Sequence, residues 1–215
     1  MRIKLLICDQ DGTLISFGKD YGSSWEALSI ICGVHDEYKE LLNQFYDKKD
    51  KEGKWAETTA RMFKGMRIED IPRAIPSIPY CRGVKEFFSK KRNFETGIIS
   101  SGIDIIAERV ARELNFDFFE CCKLERKERV LTGKLVKRIP LWNKEKVLKR
   151  VVKERGLDLE QVCYIWDNDN DLECIKSASI GILYEGGNHI NHPEYLREYA
   201  DYTIHDFKEL EKILM

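Results

Sequence analysis

No apolar run in the 215 residues approaches the roughly 20 needed for a membrane-spanning helix. Neither sign of charge is in excess. The 36 basic and 37 acidic residues leave a formal net charge of −1, which removes the footprint of a nucleic-acid binder and leaves no basic patch for a membrane surface. No Cys-x-x-Cys occurs among the seven cysteines: Cys8, Cys32, Cys81, Cys121, Cys122, Cys163 and Cys174. Their number is odd and several stand inside apolar runs. This is the usage of a reducing compartment, with cysteine as a small core residue, and it argues against a disulfide framework or a zinc site. Repeats and low-complexity segments are also missing. Residues 1–4 lead into a strand-like run instead of a hydrophobic signal segment, so a cytoplasmic protein is expected.

What the chain does have begins at residues 5–14, Leu-Leu-Ile-Cys-Asp-Gln-Asp-Gly-Thr-Leu. An apolar, strand-like segment delivers Asp9 and Asp11 into a turn at Gly12. Two-residue spacing sends both carboxylates roughly the same way if the strand persists. Like charges that close need a cation beside them, and a divalent metal would supply it. Placed after an apolar strand, Asp9-x-Asp11-Gly12-Thr13 resembles the nucleophile loop of the haloacid dehalogenase superfamily.

The texture then becomes helical. Ser23-Ser24-Trp25-Glu26 reads as a capping box, followed by Trp25, Leu28, Ile31 and Cys32 at helical spacing and a stop at Gly33. A second helix reads from Asp36, with Tyr38, Leu41, Leu42 and Phe45 on one face. A third follows Gly53, carrying Trp55, Thr59, Met62 and Phe63. A short fourth around Ile68, Ile71 and Ile75 is expected to be interrupted by Pro72 and stopped by Pro76 and Pro79. From Tyr80 onward, helices alternate with strands: a helix at 83–92, a strand at 96–99, a helix at 103–114 and a strand at 116–119. A hairpin at Leu131-Thr132-Gly133-Lys134-Leu135, a helix at 144–155 and strands at 162–166, 180–183 and 202–204 complete the pattern before a last helix with Phe207, Leu210 and Leu214. Such alternation predicts an α/β fold with a doubly wound, Rossmann-like parallel sheet. Its core would be residues 1–15 and 80–215, with a small all-helical domain, 16–79, inserted after the first strand.

Ligands in such folds bind beyond the carboxyl ends of the strands. Three polar clusters fall there: Asp9 and Asp11, then Ser100-Ser101-Gly102 leading into a helix, then Asp167-Asn168-Asp169-Asn170-Asp171. Lys144 opens the helix before the third of these strands, within reach of the same crevice. The 167–171 run has acids at positions one, three and five of a calcium loop, but Leu172 and Ala178 stand where glycine and glutamate are required. The assembly suits phosphoryl transfer. Asp9 would attack phosphorus and Asp11 would act as acid and base. Mg²⁺ would be held by Asp9, Asp11 (through its backbone carbonyl) and Asp167, with Asp171 behind them. Ser100, the N–H groups at Ser101 and Gly102, Lys144 and Asn170 would bind the phosphoryl oxygens.

The order and spacing of these four clusters, over nearly the whole chain, are similar to the four motifs of the haloacid dehalogenase superfamily. The helical insert, Ser23-Ser24-Trp25-Glu26 and Leu131-Thr132-Gly133 are similar to its phosphoserine phosphatase-like subfamily. The resemblance implies a Mg²⁺-dependent phosphatase of small phosphorylated metabolites, phosphoserine among the candidates, that forms an aspartyl-phosphate under a closing cap. The alternatives are a catalytically weak phosphate-binding or regulatory protein and a phosphotransferase or mutase. Two departures stand out. Trp166-Asp167-Asn168 replaces the usual Gly-Asp-Gly or Gly-Asp-Ser, and its indole is expected to crowd the site or restrict the leaving group. Gly18-Lys19-Asp20 stands where phosphoserine enzymes carry a glutamate for the substrate amine, leaving Asp20 and Glu26 as the nearest acids. His189 and His192 are expected to be exposed to solvent.

Overall fold

Leu5–Cys8 forms β1, buried at all four positions, as a central strand covered on both faces must be. In the computed structural model, which describes residues 2–17, 22–45, 48, 51–187 and 194–214, β1 pairs in parallel with strands on both sides. One neighbour is β2 (Glu95–Ile103), which pairs in turn with β3 (Phe118–Lys127). The other neighbour is β5 (Val162–Trp166), followed outward by β6 (Ile180–Tyr184) and β7 (Tyr202–Ile204). β4 (Val130–Lys137) is the antiparallel edge beside β3, giving the order β4-β3-β2-β1-β5-β6-β7. The chain winds outward from β1 in one direction and then restarts on its other side. The strand order therefore reverses between β1 and β5, where a doubly wound sheet opens its binding crevice.

Four helices lie between β1 and the rest of the sheet: α1 (Ser24–Ile31), α2 (His35–Phe45), α3 (Glu52–Met62) and α4 (Asp70–Ala74). Ser23 caps α1 by accepting from the Glu26 N–H. The Glu26 carboxylate takes the Gly22 N–H at 2.6 Å, so only one half of the expected capping box forms. Rings join these helices: Trp25 meets Trp55 edge-on at 5.4 Å, and Tyr38 meets Trp55 at 6.2 Å. Pro72 does not interrupt α4. It is the third residue of the helix, inside the first turn, where no N–H has an intrahelical acceptor to lose.

The remaining helices are α5 (Val84–Phe88), α6 (Asp104–Leu114), α7 (Lys144–Glu154), α8 (Leu172–Ser177) and α9 (Leu210–Leu214). α5 is shorter than the expected 83–92, and β3 starts two residues later than its predicted strand and runs far longer. Two further corrections bear on the site. Ser100, Ser101 and Gly102 lead into a helix as expected, but the strand does not end at 99: β2 continues through them, with a register shift between Ile99 and Ile103, and α6 begins at Asp104. The hairpin turns at Glu128 and Arg129, both at positive φ (51° and 66°), and not at Gly133. Gly133 (φ +82°) serves packing instead. A Cβ there would come within 3.0 Å of Lys64 Cβ and 3.3 Å of the Arg61 backbone, where the end of α3 rests on β4. No described helix is long and apolar enough to cross a membrane. His189, His192 and the segment 18–20 lie outside the described residues.

Candidate active site

The β1–β5 ladder extends one residue past β1, since the Asp9 N–H donates to Ile165 O at 3.0 Å. This holds Asp9, 5% exposed, at the switch point. The chain then turns sharply: Leu14 and Ile15 N–H both return to Gln10 O, and Gly12 adopts φ +89°, a conformation that suits glycine. Thr13, in this turn, donates its hydroxyl to Asp167 Oδ1 at 2.7 Å, tying the loop after β1 to the residue after β5. Sequence reasoning had placed Thr13 in the motif without seeing this bond.

Lys144, the first residue of α7, is 1% exposed. Its Nζ lies 3.1 Å from Asp9 Oδ1 and 2.7 Å from Asp171 Oδ2, and the other Asp171 oxygen accepts from the Tyr164 hydroxyl at 2.8 Å. Asp171 thus orients the lysine. Asp11 is turned the other way. Its Oδ2 accepts from the Ser24 N–H (3.0 Å) and hydroxyl (2.7 Å), and its Oδ1 from Gln10 Nε2 (3.2 Å). Ser24 and Tyr164 are the functional partners that sequence reasoning missed. Ser24 stood in a run read only for its helix cap, and Tyr164 carried no signal beyond its place in a buried strand.

Charge is unevenly balanced here. Asp9, Asp167 and Asp171 are all buried, against one buried ammonium among the described residues, that of Lys144. Burial pushes the Asp167 carboxyl well above its ordinary range, and the Asp9 charge adds to this. Burial likewise raises Asp171, against the pull of Lys144. Asp11 is pushed up to about 6 by burial, against the Ser24 hydrogen bonds that lower it. Burial depresses the Lys144 ammonium, but Asp171 and Asp9 outweigh it and hold the group above its usual value.

Such a surplus of buried carboxylates fits a hard cation. No group of three His, Cys, Asp or Glu among the described residues encloses a metal by side chains alone. The donors on offer are the Asp9 and Asp167 carboxylates with main-chain oxygen, the Asp11 carboxylate being engaged by Ser24. A set with one or two carboxylates and the rest left to water and phosphate suits Mg²⁺.

Asp9, Asp11, Ser100, Ser101, Gly102, Asp167 and Asn170 all line one cavity of about 640 Å³. The Gly102 N–H is not free for a ligand, because it donates to Ser100 Oγ at 3.1 Å. Trp166 does not crowd the site: it is wholly buried in β5 and forms no part of the cavity wall. Gly102 is itself a spacing element. A Cβ there would meet Gln10 Nε2, Asp11 Oδ2 and Ser24 Oγ at 2.7–2.8 Å, displacing the groups that hold Asp11. Gly102→Ala is expected to lower kcat by about 10²-fold, the scale of a 1 Å misplacement, with secondary structure by circular dichroism unchanged. Wild-type kcat in the variant would show that this packing is idle.

A family model described as haloacid dehalogenase-like hydrolase matches residues 6–176. Among curated relatives, the phosphoserine phosphatase of Methanocaldococcus jannaschii is 25% identical over 214 residues, covering 98% of this chain and 96% of the relative. The phosphoserine phosphatase of Archaeoglobus fulgidus is 26% identical over 204 residues, 94% of this chain, which spans only 56% of that relative's length. A solved structure of a phospho-aspartyl intermediate analogue of phosphoserine phosphatase superposes with a TM-score of 0.76 at 23% identity, covering 100% of both chains. At that identity the likeness is one of fold. The family match takes in both the loop after β1 and the one after β5, so the chain belongs to the haloacid dehalogenase-like hydrolases.

Proposed function

We propose that this protein is a Mg²⁺-dependent phosphomonoester hydrolase acting on a small phosphorylated metabolite, with the helical segment 16–79 as a cap over the core formed by 1–15 and 80–215. The observation that carries the reading is the convergence of Asp9, Lys144 and Asp167 at the β1/β5 switch point. Phosphoserine, named for the relatives, is one candidate substrate.

Asp9 attacks phosphorus through a carboxylate oxygen, and the bond to the ester oxygen breaks. Asp11 gives its proton to the departing alkoxide. Water then attacks the aspartyl-phosphate, Asp11 takes a proton from it, and cleavage of the bond to Asp9 releases phosphate. Ser100, Ser101 and Asn170 line the cavity that receives the phosphoryl group, while Lys144, outside that lining and buried between Asp9 and Asp171, supplies positive charge from behind Asp9. Ser24 and Gln10 fix the Asp11 carboxylate so that one residue serves both half-reactions from one position. Asp9, Asp167 and the Asp11 carbonyl would hold the cation, which would supply positive charge to the phosphoryl group and offset the surplus of carboxylates.

The purified protein is expected to hydrolyse p-nitrophenyl phosphate in the presence of Mg²⁺. Chelation with EDTA should bring the rate to background, and added Mg²⁺ should restore it. No release of p-nitrophenol under any of these conditions overturns the reading, and activity that survives EDTA overturns its metal.

A further inference from the structure

β2 crosses the site with part of its ladder missing. Its register with β1 ends at Ile98, and its register with β3 breaks off at Ile99 and resumes at Ile103. Main-chain groups around that break need partners from elsewhere. α1 supplies two of them from consecutive residues. The Ser24 hydroxyl accepts from the Ile103 N–H at 3.2 Å, and the Trp25 indole N–H donates to the Ser101 carbonyl at 2.9 Å. Trp25 is 3% exposed and firmly seated: its ring stacks on Phe63 at 6.1 Å and meets Trp55 edge-on at 5.4 Å.

In a trans peptide the carbonyl of one residue and the N–H of the next share a plane and point opposite ways. Trp25 thus holds the Ser101–Gly102 peptide by its oxygen, while its other end, the Gly102 N–H, donates to Ser100 Oγ at 3.1 Å. Ser100 is buried and lines the cavity. The bond from Gly102 occupies a lone pair of its hydroxyl and leaves the hydroxyl proton to donate. Turning the peptide would part the carbonyl from the indole and the N–H from Ser100 together. We infer that Trp25 is a positioning residue for phosphoryl binding, acting through the Ser101–Gly102 peptide on the Ser100 hydroxyl. The inference rests on the phosphatase reading above and goes beyond it, since it makes the helical segment a builder of the phosphate site as well as its cover.

Trp25→Phe keeps a packed ring and loses the donor, whereas Trp25→His gives up the outer ring and keeps a ring N–H; both are compared as folded protein by circular dichroism. In Trp25→Phe, kcat/KM for p-nitrophenyl phosphate and for glycerol phosphate should fall by the same factor, about tenfold, because a buried carbonyl has lost its donor. Inhibition by orthophosphate should weaken in parallel, and Trp25→His should lose less. In a Ser100→Ala background the Trp25→Phe loss should shrink to about twofold or less, the non-additivity of two residues acting through one contact. An undiminished loss in that background, a loss that depends on the leaving group, no loss at all, or a larger loss in Trp25→His than in Trp25→Phe overturns the inference. Calorimetry of orthophosphate with Mg²⁺ runs the same double-mutant cycle without turnover. Coupling there, with no ester hydrolysed by the wild-type protein, keeps the inference and removes the phosphatase. Hydrolysis by the wild-type protein with additive losses removes the inference alone, and neither hydrolysis nor binding removes both.

Discussion

Replacing Asp9 with asparagine is expected to lower kcat for p-nitrophenyl phosphate by at least about 10⁴-fold, the scale seen when a nucleophile is removed from an otherwise intact site. The amide is nearly isosteric, so the loop keeps its shape, but its nitrogen and oxygen are poor nucleophiles and no aspartyl-phosphate forms. Folding should not suffer. Asp9 is one of the charges that raise the Asp167 and Asp171 carboxyls, so neutralising it relieves repulsion, while Lys144 retains its 2.7 Å bond to Asp171. Steady-state kinetics and thermal melting of the same preparation check both halves. A loss smaller than about tenfold in a folded protein would remove Asp9 as the nucleophile.

Lys144→Met should be the most destabilising change at the site. The side chain is fully buried between two buried carboxylates, and taking one partner from such a pair typically costs about 3–5 kcal/mol. The cost depends on pH in a definite direction. Burial already holds the Asp171 carboxyl above its ordinary range with the ammonium present; without it, that carboxyl takes up a proton in the folded state. The folded chain then binds more protons than the unfolded one, so stability falls as pH rises. The deficit of Lys144→Met against wild type in urea unfolding should therefore widen between about pH 5 and pH 8. Adding Asp171→Asn should recover part of it. A pH-independent deficit, or none, would mean that Lys144 is held by packing alone.

Much of the site was readable because its residues follow short apolar runs that can only be buried strands. Asp9 after Leu5–Cys8 and Asp167 after Val162–Trp166 are fixed by chain geometry once the sheet is parallel, and the switch-point rule brings them together. The residues that hold them were not readable in the same way. Ser24 reaches Asp11 because α1 returns over the end of β1, and nothing local to Ser24 marks that path. Tyr164 meets Asp171 only after the chain has turned through Asp167–Asn170. The strand expected to end at Ile99 runs four residues further, through Ser100–Gly102 and a register shift, which apolar patterning does not show. Gly133 looked like the hairpin turn. Glu128 and Arg129 took the left-handed conformations instead, and the glycine was needed where α3 presses on β4. Trp166 is instructive in the opposite sense: its sequence neighbour lines the cavity, yet alternation along β5 and the core decide where the indole goes.

The position of β1 at the centre of the sheet also sets a timetable for synthesis. The strand that precedes Asp9 is made well before its neighbours, which begin at Glu95 and Val162. At about 5–20 residues per second, β1 waits on the order of 10 s for β5. Until then, Leu5–Cys8 has at most one of its two neighbours, β2, and its other edge stays unpaired. Asp9 is thus made long before the strand that completes its surroundings. Stalled nascent chains ending before residue 160 should remain open to proteases around β1, whereas chains extended past β5 should become resistant there.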